Sequence, residues 1–246
     1  MDRPVAWQRM ASASQSIGAG ERYAVFPFYL CLDVSQSMSG EPIRQVNAEL
    51  PQLRARVGED PAVAEVVRFG IVTFSDAART VLPLTDLSLI ESLPVLEVEG
   101  KTSYAAAFDH LRVLIEGDYR SGQITGERWY RPALIFVSDG RPTDSDESWR
   151  AAHKRLTDTS WRRHPNILCF GFGDAVPEIL AHVAEGKAGR AFVAAEGAAP
   201  ASVIPELISG LIHSIVSSSA SVQAGSPLLV PPRLPNMHAI PVDELD

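Results

Sequence analysis

Cysteine is scarce in this chain. Cys31 and Cys169 are the only two in 246 residues, and each lies inside an apolar run. A reduced thiol in such a place packs as a small hydrophobe, so both are expected in the core of a protein kept in a reducing compartment. A basic stripe is missing as well. The formal net charge is −8, with acidic and basic residues mixed along most of the length, so nothing offers itself to a phosphate backbone and nucleic acid is not an expected partner. Residues 1–20 hold one early apolar patch but lack the continuous apolar stretch of about 7–15 residues that a secretory signal needs. No run approaches the roughly 18 apolar residues that span a bilayer. Cytoplasmic location without a membrane partner is the expectation. The six histidines are scattered, with no His-Glu-x-x-His pair and no cysteine close by to complete a zinc site. Asp139, Asp144, Asp146 and Glu147 miss the EF-hand spacing, and Gly171-Phe172-Gly173-Asp174 has too few glycines for a dinucleotide loop.

What is present is ordinary globular composition. Hydrophobic residues make up 46% and charged residues 21%, far from the balance that keeps a chain disordered. Residues 26–32 form an apolar and aromatic run ending at Asp33, without polar alternation, as in a strand covered on both faces. Pro42 then suits a first helical position, and Ile43, Val46, Leu50, Leu53 and Val57 follow at helical spacing, with Pro51 as a candidate kink. Residues 66–74 and 79–84 read as a β-hairpin. A helix is predicted over 103–115, a buried strand over 133–137, a helix over 148–156, a strand over 167–172 and a helix over 177–184. A last strand follows at 191–194 and a last helix at 203–216. Trp129-Tyr130-Arg131 is assigned to packing at a domain edge rather than to a partner. Strands alternating with helices predict an α/β fold, a doubly wound and mostly parallel sheet with helices on both faces. One domain is expected over residues 23–219, after an N-terminal extension at 1–22. Residues 220–246 complete the chain as a proline-rich tail, whose stretch from Ser226 carries five prolines and reads as extended chain rather than as another element.

In a doubly wound sheet, ligands gather beyond the C-terminal ends of the strands. The first strand ends in Asp33-Val34-Ser35-Gln36-Ser37, where alternate spacing can turn the carboxylate and both hydroxyls to one side. The loop before the third helix supplies Thr102, and the end of the next strand supplies Asp139. Taken singly, each has a plainer reading: a Ser- and Gly-rich turn, an Asp-Gly turn, a helix N-cap. Together they set five oxygen donors on one crevice, without sulfur or imidazole. That set suits Mg²⁺ foremost, with Mn²⁺ or Ca²⁺ as alternatives, and leaves a coordination position open.

These segments resemble a known family. Asp33-Val-Ser35-Gln-Ser37-Met-Ser-Gly40, then Thr102, then Ser138-Asp139-Gly140-Arg-Pro142-Thr-Asp144 are similar to the metal ion-dependent adhesion site (MIDAS) of von Willebrand factor type A domains. Gly40-Glu41-Pro42-Ile43, residues 71–75 and residues 81–85 resemble most the bacterial TerY-like, tellurium-resistance-type group. The resemblance spans about residues 26–216. It implies metal ligation by Asp33, Ser35, Ser37, Thr102 and Asp139, a protein partner that donates a Glu or Asp, no enzymatic activity, and a setting among intracellular bacterial stress or defence modules. Gly100-Lys101-Thr102-Ser103 departs from the commoner Gly-Gly-Thr or Gly-Ala-Thr pattern, and Ser103 offers a competing hydroxyl. Asp144 is a candidate supporting residue. Two other functions are set beside this one: a Mg²⁺-dependent phosphotransferase or phosphatase with Asp33 as nucleophile, and a metal-free scaffold that binds through another face.

Overall fold

The computed structural model describes residues 24–186 and 188–240; the N-terminal extension expected at 1–22 lies outside them. The chain runs β1 (Ala24–Asp33), α1 (Glu41–Gly58), α2 (Pro61–Val66), β2 (Val67–Phe74), β3 (Ala78–Thr85), α3 (Tyr104–Thr125), β4 (Arg128–Trp129) and β5 (Ala133–Ser138). It continues through α4 (Asp146–Thr157), β6 (Asn166–Gly171), α5 (Pro177–Val183), β7 (Arg190–Ala194), α6 (Pro200–Gln223) and β8 (Met237–Ile240). The sheet has the order β3-β2-β1-β5-β6-β7-β8, with the short β4 bridged to the start of β1. β1 runs parallel to β2 and β5, β6 joins β5 and β7 in parallel, and the two edge strands β3 and β8 are antiparallel to their neighbours. The expected doubly wound, mostly parallel α/β architecture is the one observed.

Side-chain alternation along β1 feeds two cores. Phe26, Phe28, Leu30 and Leu32 pack with α1, α2 and α6, while Tyr29 and Cys31 pack on the other face with α3, α4 and α5. Cys169 joins the second core, and both thiols are free and buried. Prolines sit where the ladder can spare a donor. Pro27 stands between the residues of β1 that meet β4 and the run that meets β5. Pro83 lies on edge strand β3, where the register against β2 shifts. Pro51 does not end α1, which runs through it for 18 residues. Trp129 lies against Gly122 and Tyr119, and Tyr130 against Phe26, as packing at an edge.

The C-terminal segment differs from the expectation of an extended tail without a further element. α6 is longer than predicted, and residues 226–240 turn back along it: the carbonyl of Val230 accepts from the Ser214 hydroxyl, the Val230 N–H donates to Ser218 Oγ at 2.9 Å, and the Asn236 N–H donates to Glu206 at 2.8 Å. Leu234 and Met237 are buried in the first core, and residues 237–240 pair with β7 as β8. The physical reason lies in α6 itself. Gly210 leaves room for Leu234 and Pro232, and serines 214, 218 and 221 satisfy the backbone of a segment whose prolines cannot donate. The best 18-residue window of α6 has a mean hydropathy of 1.3, but its Val203, Leu207, Leu211 and Ile215 are packed inside the domain.

The chain leaves β1 toward β2 and β3 and then returns to β5 on the other side. The C-terminal ends of β1 and β5 are therefore the switch point of the sheet, where such folds open a crevice.

Candidate metal-ion site

Asp33 closes β1 and Asp139 follows β5, so neighbouring parallel strands deliver two carboxylates to the same end. Asp33 is 1% exposed; its Oδ1 accepts the Ser35 N–H at 2.9 Å and its Oδ2 accepts the Ser138 hydroxyl at 2.6 Å. From the same turn a pair of hydroxyls leads to the second carboxylate. Ser35 Oγ and Ser37 Oγ are 3.0 Å apart, and Ser37 Oγ donates to Asp139 Oδ1 at 2.7 Å. The turn carrying the serines is held by backbone bonds to the 99–100 loop: Gln36 N–H to Gly100 O at 3.1 Å and Glu99 N–H to Val34 O at 2.8 Å.

Two adjacent hydroxyls, Thr102 and Ser103, compete in sequence, and the structure gives them different partners. Ser103 caps α3 by accepting the Ala106 N–H at 3.1 Å, and its hydroxyl donates to Asp144 at 2.9 Å. Thr102, 6% exposed, makes no side-chain hydrogen bond among the described residues and lines the cleft with Ser37 and Asp139. Asp144 also accepts the Ala105 N–H at 2.9 Å, and Thr143 donates both its N–H and its hydroxyl to Thr102 O, at 2.7 and 3.0 Å. Residues 143–144 thus fasten the Thr102 loop to the loop that follows Asp139. Tyr104, buried within an aromatic cluster, donates to Gly140 O at 3.2 Å from below. Ser138 and Thr143 were not singled out from sequence. Their signal was their place in the Ser138-Asp139-Gly140-Arg-Pro142-Thr-Asp144 motif.

The cleft has a volume of about 620 Å³ and continues past Asp139 to Arg141 and to residues 174–178, where the chain enters α5. Burial pushes the Asp139 carboxyl up to about 6, opposed by the Ser37 hydrogen bond and reinforced by the charges of Asp33 and Asp174. Burial raises Asp33 too, while the donors from Ser138 and Ser35 pull it down. Among the described residues neither carboxylate is ion-paired. Two buried anions facing one another without a cation are costly, and a divalent ion fits that deficit. The donor set is hydroxyl and carboxylate oxygen. Hydroxyl and carboxylate oxygens are hard donors, the type that suits a hard divalent cation, and among the described residues no three His, Cys, Asp or Glu side chains gather into a metal-binding cluster.

A doubly wound domain with an oxygen-lined cleft at its switch point defines a small class of α/β modules. The family model of the von Willebrand factor type A domain matches residues 28–206, and the chain belongs to that family. No curated protein matches the sequence significantly. Among solved structures, a von Willebrand factor type A protein from Catenulispora acidiphila is 15% identical with a TM-score of 0.55, over 78% of this chain and 43% of that one. The ArnB paralog VWA2 from Sulfolobus acidocaldarius is 18% identical with a TM-score of 0.52, over 79% and 46%. Proximal thread matrix protein 1 from the mussel byssus, solved with a zinc-occupied MIDAS motif, is 17% identical with a TM-score of 0.55, over 80% and 49%. The chain spans less than half the length of each. At these identities the likeness is one of fold.

Proposed function

We propose that this chain is a non-enzymatic, metal-dependent protein-interaction module. Asp33, Ser35, Ser37, Thr102 and Asp139 would hold a divalent cation, Mg²⁺ foremost, and a Glu or Asp of the partner would complete its coordination. The bound ion supplies a positive centre with an exchangeable position. This chain's residues bury and orient it: Ser138 and the Ser35 N–H hold Asp33, Ser37 ties the first loop to Asp139, and Asp144 holds the Thr102 loop in register. The observation that carries the reading is the pair of buried carboxylates held to one serine turn, Asp33 by the Ser35 N–H and Asp139 by the Ser37 hydroxyl, without a cationic partner among the described residues. The resemblance to the TerY-like group supports a cytoplasmic setting within a bacterial stress or defence system.

The phosphotransferase reading is weaker on geometry. A nucleophilic carboxylate needs an open approach, whereas both oxygens of Asp33 are engaged and the residue is 1% exposed. The deciding experiment is a thermal-unfolding titration of chelator-stripped protein with Mg²⁺, Mn²⁺, Ca²⁺ and Zn²⁺, for wild type and Asp139→Ala. Zinc is included because the MIDAS motif of the mussel protein is described as zinc-occupied. A saturable rise in wild type alone supports the reading, because a ligand that binds only the folded state must stabilise it. No rise with any ion leaves the metal-free scaffold.

A further inference from the structure

The cleft is electrically lopsided. Beyond Asp139 its lining includes the cation Arg141 and the two acids Asp174 and Glu178, together with Ala175, Val176 and Pro177. The acidic wall is fixed in place. The Asp174 N–H donates to Asp139 O at 2.8 Å, and Gly173 makes the turn at φ 60°, where a Cβ would come within 3.0 Å of that same carbonyl. Asp174 and Glu178 are exposed, and among the described residues neither they nor Arg141 take part in an ion pair. A second feature points into the cleft: the Thr102 hydroxyl is on a residue only 6% exposed, lines the cavity and has no hydrogen-bond partner among the described residues. An unpartnered hydroxyl on so buried a residue, opening onto the cleft, is available to a ligand there.

We propose that the partner of this cleft is a peptide segment carrying one carboxylate and, within about three residues, one lysine or arginine that pairs with Asp174 and Glu178. The inference rests on the metal-capture reading and goes on to name the partner's chemistry. Asp139, Asp174 and Glu178 line the cleft and Asp33 lies buried beside it, four negative side chains against Arg141, the single cation in the lining among the described residues. A divalent ion leaves that balance still negative, and an incoming carboxylate makes it more so. A polyacidic partner therefore meets repulsion once its first carboxylate is seated, whereas a neighbouring cation restores balance and fixes the orientation of the segment across the cleft.

The test is selection from a random hexapeptide display library on the purified chain, in Mg²⁺ and again in chelator, with wild type and an Asp174→Lys/Glu178→Lys variant. Each protein is first checked for its Mg²⁺-dependent thermal shift, and Glu178→Lys alone replaces the double variant if that one does not fold. Wild type is expected to enrich, only in Mg²⁺, peptides with one Asp or Glu beside a Lys or Arg, and the variant to enrich acidic peptides without the basic residue. Exchanging the basic residue of a selected peptide for Ala should weaken its binding to wild type about three- to tenfold, the worth of one or two partly exposed charge pairs. Mg²⁺-dependent acidic peptides that show no basic preference, or the same preference on the variant, overturn the inference while leaving metal capture standing. Absence of both enrichment and thermal shift overturns both.

Discussion

Replacing Asp139 with Asn separates the electrostatic cost of the cleft from everything else in the domain. In the metal-free protein the Asp139 carboxyl is pushed from 3.8 up to about 6 by burial and by Asp33. An acid whose folded value lies above its unfolded value binds more protons when folded, so its contribution to stability falls as pH rises through the window from 3.8 to about 6. The full gap corresponds to about 3 kcal/mol, and screening in an open cleft lowers it to ~1–2 kcal/mol. In a domain of this size that is about 2–8 °C in Tm. His153 acts in the opposite sense over nearly the same range. Burial lowers it from 6.5 to about 4, so its contribution is present at neutral pH and is lost as pH falls through that window. The raw pH profile of wild type is thus a sum of opposing slopes, and the informative quantity is the difference between wild type and Asp139→Asn.

Chelator-stripped proteins scanned by calorimetry from pH 4.5 to 8 should show the variant gaining on wild type as pH rises, with the gain levelling off above pH ~6.5. Saturating Mg²⁺ should reverse the order at neutral pH, because an ion at about 100 times its Kd contributes ~2.7 kcal/mol to wild type alone. That advantage should shrink as protons compete for Asp139 below pH ~6. Parallel metal-free profiles for the two proteins would refute the reasoning, since they would mean that Asp139 titrates alike in the folded and unfolded chain.

Ser138→Ala leaves Asp33 Oδ2 without its donor at 2.6 Å and should cost the metal-free protein about 1–3 kcal/mol in urea unfolding. Asp144→Asn loosens the clip between the Thr102 and Asp139 loops and should weaken Mg²⁺ binding about tenfold by isothermal titration, with little change in metal-free Tm. Ending the chain at Gly225 removes Leu234, Met237 and β8 from the core; at ~1.5–3 kcal/mol per large apolar side chain, the loss should be about 3–6 kcal/mol, read as a lower Tm with increased hydrophobic-dye binding.

How much of this was legible in the sequence depends on how far apart the cooperating residues lie. The buried strands β1, β2, β5 and β6 announce themselves as apolar runs that end in Asp, Ser or Gly, because a strand covered on both faces has no room for polar alternation. The short α2, β4 and β8 carry no such run and owe their existence to tertiary context. β8 in particular depends on a serine and glycine stripe on α6 that reads, in one dimension, as part of an ordinary helix. The site divides in the same way. Asp33, Ser35 and Ser37 lie within five positions of one another, and their common orientation follows from strand and turn geometry. The resemblance named Thr102 over Ser103, but local geometry did not decide between them, because Ser103 is held by Asp144, 41 residues away along the chain. Once Ser103 is committed to capping α3 and to Asp144, the neighbouring hydroxyl is the one left facing the cleft. Exchanging the two residues, as Thr102→Ser with Ser103→Thr, keeps a hydroxyl at each place and should therefore preserve Mg²⁺ binding. Thr102→Val alone should abolish it with the cap intact, and Ser103→Ala should chiefly cost the helix about 1 kcal/mol.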